Sequence, residues 1–114
     1  MQISVEDVSG VQIVTVNEDR IDAANAVQFK DVLGRPPATG ANRIILDLAA
    51  VEFIDSSGLG AVVAVMKALA PDTAVELVSL NDTVAKVFRL TRMDSIFTIH
   101  PERSAALAEV RHAS

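Results

Sequence analysis

The segment Arg43-Ile44-Ile45-Leu46-Asp47-Leu48 is the strongest indication of the fold in this 114-residue chain. Its run of isoleucine and leucine is typical of a strand that is buried on both faces, as in the middle of a parallel sheet. The preceding segment, residues 34–40, begins and ends with glycine and contains two prolines, which predicts a loop. We therefore expect a covered sheet built around this strand.

Upstream of this strand the pattern changes twice. Ile3 to Asp7 and Val11 to Val16 read as strands, and Ser9-Gly10 between them predicts a hairpin turn. Apolar residues then recur at helical spacing from Ala23 to Leu33, with Asp22 as the expected N-cap. A hairpin followed by a helix is thus predicted before the buried strand.

Downstream, the apolar residues again recur at helical spacing and the resulting helix stops at Pro71. The face expected to meet the core consists of Leu59, Val62, Val63, Met66 and Leu69. The remaining predicted elements are a strand from Ala74 to Val78, a helix from Asp82 to Thr91, a strand from Ile96 to Ile99 and a helix from Glu102 to Arg111.

The predicted order is ββαβαβαβα. Strands joined by crossover helices form parallel pairs, and the first hairpin supplies an antiparallel edge. We therefore predict an α/β fold in which residues 1–114 form one domain. It should contain a mostly parallel sheet with a mixed edge hairpin and about four helices, largely on one side. Phe53, Phe88 and Phe97 fall at positions typical of core residues.

Composition excludes several function classes. The net charge is −5 and no cluster of Lys and Arg is present, which argues against nucleic acid as a partner. The chain has no cysteine, so it has neither disulfides nor thiolate metal ligands. Neither a signal peptide nor a membrane-length apolar run is evident, so we expect a cytoplasmic protein without direct membrane insertion.

The segment Asp55-Ser56-Ser57-Gly58-Leu59-Gly60 at the start of the second helix carries the most functional information. A structural interpretation is that a serine caps the helix and the glycines permit close backbone approach. A functional interpretation comes from the rest of the helix. Its side opposite the expected core face is apolar and carries Lys67 as its only charge. The small and apolar residues there are Ala61, Ala64, Val65 and Ala68.

Such a side fits either a docking surface for another protein or a second covering layer. A serine at the edge of a docking surface would make an effective switch. Phosphorylation adds roughly −1.5 to −2 units of charge, which would oppose burial by a partner, particularly beside Asp55. Binding would then be lost without refolding of the domain.

The segments Ile45 to Leu48 and Val51 to Gly60 together resemble the central signature of the STAS family, named for sulfate transporters and anti-sigma factor antagonists. Weaker similarity covers the whole chain. The resemblance implies that Ser56 is the phosphorylated serine, with Ser57 in reserve. Together with the helix pattern, it predicts a partner-binding surface made of Asp22, Asp55, Ser56, Ser57, Gly58, Leu59, Ala61 and Val65.

The resemblance also implies a regulatory circuit. The unphosphorylated antagonist would bind an anti-sigma factor that is itself an ATP-dependent serine kinase, and a PP2C-type phosphatase would reset the switch. ATP and Mg²⁺ would belong to the kinase, so no cofactor is expected in this chain. The chain departs from the family pattern at Arg20, where glycine is common. Asp22 still aligns, but the shape of that part of the partner surface stays open.

Other functions fit the sequence less well. A serine hydrolase needs a Gly-x-Ser-x-Gly elbow and a histidine base, whereas Ser56 lacks the elbow and both histidines are near the terminus. The carboxylates of Asp22, Asp47 and Asp55 lack the dense spacing of a calcium loop, so capping is the better interpretation. The main alternatives share the fold: an accessory subunit of a lipid-transport ABC complex, or a partner-switching adaptor outside sigma-factor control.

Overall fold

The structure, a computed structural model, describes residues 1–109. Within that range the chain forms seven strands and four α-helices. The strands are β1 (Ile3–Val8), β2 (Val11–Val16), β3 (Arg20–Ile21), β4 (Arg43–Asp47), β5 (Phe53–Ile54), β6 (Ala74–Val78) and β7 (Thr98–His100). The helices are α1 (Ala26–Leu33), α2 (Ser56–Leu69), α3 (Asp82–Leu90) and α4 (Arg103–Ala108).

The main sheet has the strand order β1-β2-β4-β6-β7. The β1 and β2 strands are antiparallel and every other neighbouring pair in this sheet is parallel. The predicted mostly parallel sheet with an edge hairpin is therefore confirmed. All five residues of β4 are buried, as expected for the central strand. Ser9 and Gly10 both have positive φ, of 51° and 80°, which is the backbone of a type I′ hairpin turn.

The helices cover the sheet unequally. Helices α1, α2 and α3 pack on one face, where Leu46 and Leu77 of the strands meet Phe29, Val62 and Phe88 of the helices. Helix α4 covers the other face, where Ala106 packs against strand residues that include Ile13 and Ile45. The prediction that the helices lie largely on one side is confirmed.

Two short strands were not predicted. The β3 and β5 strands pair in parallel with each other and form a separate two-stranded ribbon. Each contributes two residues, which is too short for a pattern of alternating hydrophobicity to be recognised. This ribbon matters because β5 ends directly before α2.

Some boundaries also differ from the predictions. Helix α1 begins at Ala26 with Asn25 in the N-cap position, so the prediction of Asp22 as N-cap is wrong. The carbonyl of Asp22 instead accepts hydrogen bonds from the backbone N–H groups of Asn25 and Ala26, which closes a turn before the helix. The last strand begins at Thr98 because Met93–Ser95 forms a 3₁₀ turn. The predicted terminal helix is observed as α4, but it ends at Ala108 because Glu109 has an extended backbone. Residues 110 and 111 of the predicted helix lie outside the described residues.

A buried ion pair connects the central strand to α4. Arg43 and Glu76 form two hydrogen bonds of 2.6 and 2.8 Å between neighbouring strands. The Arg43 guanidinium also donates to the carbonyl of Ala106 at 3.0 Å, and His100 contacts Glu76 at 2.8 Å. The hydrogen bond to Glu76 raises the pKa of Arg43, so its charge persists throughout the physiological range.

A second arginine holds the start of α4. Arg103 donates to Asp47 at 2.6 Å and to Glu6 at 2.8 Å, and it also bonds the hydroxyl of Thr15. The hydrogen bond to Asp47 raises the pKa of Arg103. The Asp47 carboxylate thus binds Arg103 on the α4 side of the sheet.

Among residues 1–109, no helix has both the length and the apolar character needed to cross a lipid bilayer.

We predict that Arg43→Met lowers the free energy of unfolding by about 3–5 kcal/mol, because it leaves the Glu76 carboxylate buried without its main counter-charge. Urea denaturation of the purified variant measures this loss. Arg20→Met is the matched control, since the Arg20 side chain is 57% exposed whereas that of Arg43 is 8% exposed. The control should change stability by less than about 1 kcal/mol. Equal effects of the two substitutions would contradict the assignment.

Candidate functional site

The β3/β5 ribbon positions the N-terminus of α2. Arg20 lies opposite Phe53 and Ile21 lies opposite Ile54 in the parallel register. The backbone N–H of Asp55 then donates to the carbonyl of Ile21 at 3.3 Å. The first turn of α2 therefore sits against the end of β3 rather than projecting freely from the sheet.

Asp55 is the N-cap of α2. Its Oδ1 atom accepts a hydrogen bond of 2.8 Å from the backbone N–H of Gly58, which satisfies one of the free donors of the first turn. Its Oδ2 atom accepts a second bond of 3.3 Å from the backbone N–H of Ala23, in the loop after β3. The interpretation that a serine caps this helix is therefore wrong. A single carboxylate fixes both the helix start and the neighbouring loop.

Gly58 is required by close packing. A Cβ atom built on Gly58 would lie 2.0 Å from the carbonyl oxygen of Ile21, which no side chain tolerates. By contrast, a Cβ on Gly60 would meet nothing within 4 Å. The two glycines of the motif thus have different roles, one in packing β3 against α2 and one on the exposed side of the helix.

Ser56 and Ser57 occupy the first two positions of α2 and both are exposed. Neither hydroxyl makes a hydrogen bond to any other residue within the described range 1–109. Because Asp55 already caps the helix, neither hydroxyl is needed to satisfy the backbone. Both are open to solvent and to an approaching protein, and in this respect the two serines are equivalent.

Asp22 lies close to this helix start, on the loop that joins β3 to α1. Its Oδ1 atom accepts from the backbone N–H of Ala24 at 3.0 Å, and its backbone N–H donates to Oδ1 of Asn25 at 2.9 Å. The adjacent residue, Ala23, is the one that donates to Asp55. The structure therefore brings Asp22 and the Asp55-Ser56 segment together at one end of the sheet.

Part of the predicted partner surface is not on the surface. Ala61 and Val65 are only 2% and 3% exposed, so their expected position on an outer helix face is wrong. Gly58, which was also predicted to contact the partner, is buried against the carbonyl of Ile21. Helix α1 packs alongside α2, so α2 is covered both by the sheet and by a neighbouring helix. The second covering layer considered above is the correct explanation for these apolar residues. Conversely, Leu59, Val63 and Met66, which were expected to be buried, are partly exposed.

The sequence also placed Phe53 in the core, whereas the structure leaves it 42% exposed. The guanidinium carbon of Arg20 lies 5.1 Å from the centre of the Phe53 ring, which is a cation–π arrangement. The Nη1 atom of Arg20 also lies 3.6 Å from the Oδ2 atom of Asp22, which is an ion pair. The sequence analysis left open the shape of the predicted partner surface near Arg20. In the structure, Arg20 places a cation over the Phe53 ring at that position. The β3/β5 pairing that creates this contact has no recognisable sequence signal.

The other sequence candidates lie elsewhere. His100 is on the α4 side of the sheet, in contact with Glu76, and cannot serve as a base for Ser56. Asp47 binds Arg103 on that same side, so Asp22, Asp47 and Asp55 do not converge on a common point. The chemistry available at Ser56 is that of an exposed hydroxyl at the first turn of a helix, presented to whatever binds there.

Comparison with known proteins shows which domain family this chain is similar to. A family model of the STAS domain matches residues 2–106. A Thermotoga maritima protein named as a candidate anti-sigma factor antagonist is 37% identical over 106 residues, which cover 91% of this chain and 93% of that protein. A Bordetella bronchiseptica protein, likewise named as a candidate anti-sigma factor antagonist, is 30% identical over 99% of this chain and 97% of its own length.

The fold has close counterparts among solved structures. The crystal structure of an anti-sigma factor antagonist from Mycobacterium paratuberculosis superposes with a TM-score of 0.84 at 31% identity. The match covers 97% of this chain and 94% of that one. The similarity therefore extends over nearly the whole length of both proteins.

We predict that Asp55→Ala and Ser56→Ala differ sharply in stability. Loss of the N-cap should lower the free energy of unfolding by about 1–2 kcal/mol. Loss of the unpartnered Ser56 hydroxyl should change it by less than about 0.5 kcal/mol. Urea denaturation of both variants gives the comparison. If Ser56→Ala were as destabilising as Asp55→Ala, the hydroxyl would have a structural role instead.

The two glycines provide a second matched pair. Gly58→Ala should lower the free energy of unfolding by about 1–3 kcal/mol, because the added methyl group collides with the carbonyl of Ile21. Gly60→Ala should raise it by about 0.5–1 kcal/mol, because alanine is the better helix former and meets open space. Thermal unfolding detects the opposite signs. A stabilising Gly58→Ala would show that β3 does not pack against α2 as described.

Proposed function

The chain belongs to the STAS domain family, and on this premise we propose that it is an anti-sigma factor antagonist whose binding is controlled by phosphorylation of Ser56. In its unphosphorylated form it binds an anti-sigma factor with serine kinase activity. That kinase phosphorylates Ser56, and a PP2C-type phosphatase removes the phosphate. The names of the two curated relatives and of the mycobacterial structure support the anti-sigma factor as the partner.

The open hydroxyl of Ser56 is the observation that carries the proposal. It is exposed, lacks a hydrogen-bond partner among the described residues, and directly follows the Asp55 cap. A kinase can therefore reach it without opening the core. Ser56 and Ser57 are both exposed, and neither hydroxyl has a hydrogen-bond partner among the described residues. The choice of Ser56 therefore comes from the family pattern, in which the serine directly after the aspartate is modified.

A phosphate on Ser56 is compatible with the folded domain. It would lie at the N-terminus of a 14-residue helix, where the free N–H groups and the helix dipole favour negative charge. The added charge would instead weaken the contact with the partner. A surface that is dehydrated on binding disfavours an added charge of about −1.5 to −2. Binding is thus lost while the antagonist stays folded.

The surface around Ser56 suits protein contact. Gly60 is exposed one turn after Ser56, and Leu59 and Val63 are partly exposed beside it. Because Gly60 has no side chain, a partner backbone can approach α2 closely there. Phe53 adds an exposed aromatic ring on the adjoining strand, and Asp22 lies on the neighbouring loop. We define this antagonist surface as Asp22, Phe53, Asp55, Ser56, Ser57, Leu59, Gly60 and Val63.

The same fold serves other roles, including subunits of lipid-transport ABC complexes and adaptors outside sigma-factor control. A structural subunit has no need of an unpartnered serine hydroxyl at the first turn of α2. The relatives described above bear the names of anti-sigma factor antagonists and cover nearly the whole chain. Both observations favour the regulatory role.

We predict that Ser56→Asp, or phosphoserine installed at position 56, weakens binding to the anti-sigma factor kinase about 100-fold or more, since an unpaired charge in an interface costs several kcal/mol. Isothermal titration calorimetry with the kinase from the same organism measures the effect. Incubation with that kinase, ATP and Mg²⁺, followed by mass spectrometry, should place the phosphate on Ser56. The label should vanish in Ser56→Ala and persist in Ser57→Ala.

Ser9→Asp is the matched control, because it adds the same charge in the exposed β1–β2 turn. That turn lies at the end of the sheet where β2 begins, opposite the end at which α2 begins. The affinity of the Ser9→Asp variant for the kinase should equal that of the wild type. Tight binding by the Ser56→Asp variant, or phosphate found only on Ser57, would refute the proposed switch at Ser56.

A further inference from the structure

A cavity of about 210 Å³ lies beneath the end of α1, remote from Ser56. Its floor is formed by buried residues of the core, among them Leu46, Val65 and Val75. Its rim includes Val5 and Val32, which are 56% and 55% exposed. The cavity therefore runs from an open apolar rim into the hydrophobic core.

Only two side chains with strong polar groups line this cavity among the described residues, and both lack partners. Arg35 makes no hydrogen bond or ion pair within residues 1–109, and the side-chain amide of Gln12 makes none either. Arg35 is also the only charged residue in the lining. It is exposed at the rim, next to Pro36 and Pro37, whose fixed φ angles limit the motion of the loop.

We propose that this cavity binds a medium-chain carboxylate, with an alkyl tail against the apolar floor and the carboxylate beside the Arg35 guanidinium. The apolar walls select an alkyl chain, and the single cation selects an anionic head group. A cavity of about 150 Å³ in a protein core holds benzene, which has six carbons, so about 210 Å³ accommodates a tail of roughly eight carbons. The Gln12 amide can donate a further hydrogen bond to the head group.

A second copy of the chain fits this rim less well. Val5 belongs to β1, an edge strand that also carries the exposed Asp7, whose carboxylate has no ion-pair partner among residues 1–109. Two such edges brought together would place like charges near one another, which is a common device against edge pairing. Charge thus disfavours self-association through this edge.

This ligand site is independent of the proposed switch. Ile44 and Val75, which line it, are the second residues of β4 and β6, so it lies where these strands begin. Ser56 follows the other end of the sheet. Carboxylate binding should therefore be the same in Ser56→Asp and in the wild type, and failure of either proposal leaves the other standing.

Methyl-detected NMR of the full chain, titrated with carboxylates from butanoate to decanoate, tests the site. The methyl groups of Leu46, Val65 and Val75 should shift on binding. Affinity should rise about fourfold for each added methylene until the tail fills the cavity, and then level off. Octanol and octylamine are the head-group controls. Octanoate should bind about three- to fivefold more tightly than octanol, and octylamine more weakly than octanol.

Two variants separate the head-group and tail contacts. Arg35→Gln should abolish the advantage of octanoate over octanol while leaving octanol binding unchanged. Ala38→Trp, at an exposed rim position, should weaken both ligands at least tenfold while the methyl spectrum stays that of a folded domain. The chain contains no tryptophan, so the indole also gives a unique fluorescence signal from the rim.

Three outcomes would overturn the proposal. One is the absence of shifts at the floor methyl groups at millimolar octanoate. Another is octylamine binding as tightly as octanoate. The third is a dimer, seen by sedimentation without any carboxylate, in which the same methyl groups shift with protein concentration, since that result would assign the cavity to a second copy.

Discussion

The site depends on the double use of one carboxylate. Asp55 accepts hydrogen bonds from Gly58 in α2 and from Ala23 in the loop after β3, so it joins two segments that are 32 residues apart in the chain. The carbonyl of Ile21 lies so close to Gly58 that only glycine fits between ribbon and helix. Together these contacts hold the first turn of α2 rigidly against β3. The serine hydroxyls are left without any structural task.

This division of roles explains the order of residues in the motif. Aspartate supplies the cap and glycine permits the close approach, and both stabilise the fold. The two serines between them point into solvent, and the fold does not depend on their hydroxyls. A residue that can be modified without disturbing the helix is what the switch proposed at Ser56 requires. The motif therefore combines a structural frame with an exchangeable surface group.

The opposite face of the sheet is organised by charge instead. Arg43, Glu76 and His100 lie buried between the strands and α4, and Arg103 holds the start of that helix through Asp47. The buried charges of Arg43 and Glu76 are tolerated because the two side chains are hydrogen-bonded to each other. His100 and Asp47, which were weighed above as a catalytic base and as a metal ligand, thus help to attach α4.

The α/β class, the central buried strand, the hairpin and the helix start at Asp55 to Gly60 were all predicted from the sequence, because hydrophobic period and turn residues are local signals. Contacts between distant segments set the features that local signals leave open. The outer face of α2 depends on where α1 packs, so Ala61 and Val65 were misplaced while Leu59 and Val63 emerged on the surface. Likewise, Phe53 became the exposed platform for Arg20 only through the β3/β5 pairing, in which each strand has two residues. Helical periodicity shows that a residue is apolar on a given side, but it does not show which neighbour covers that side.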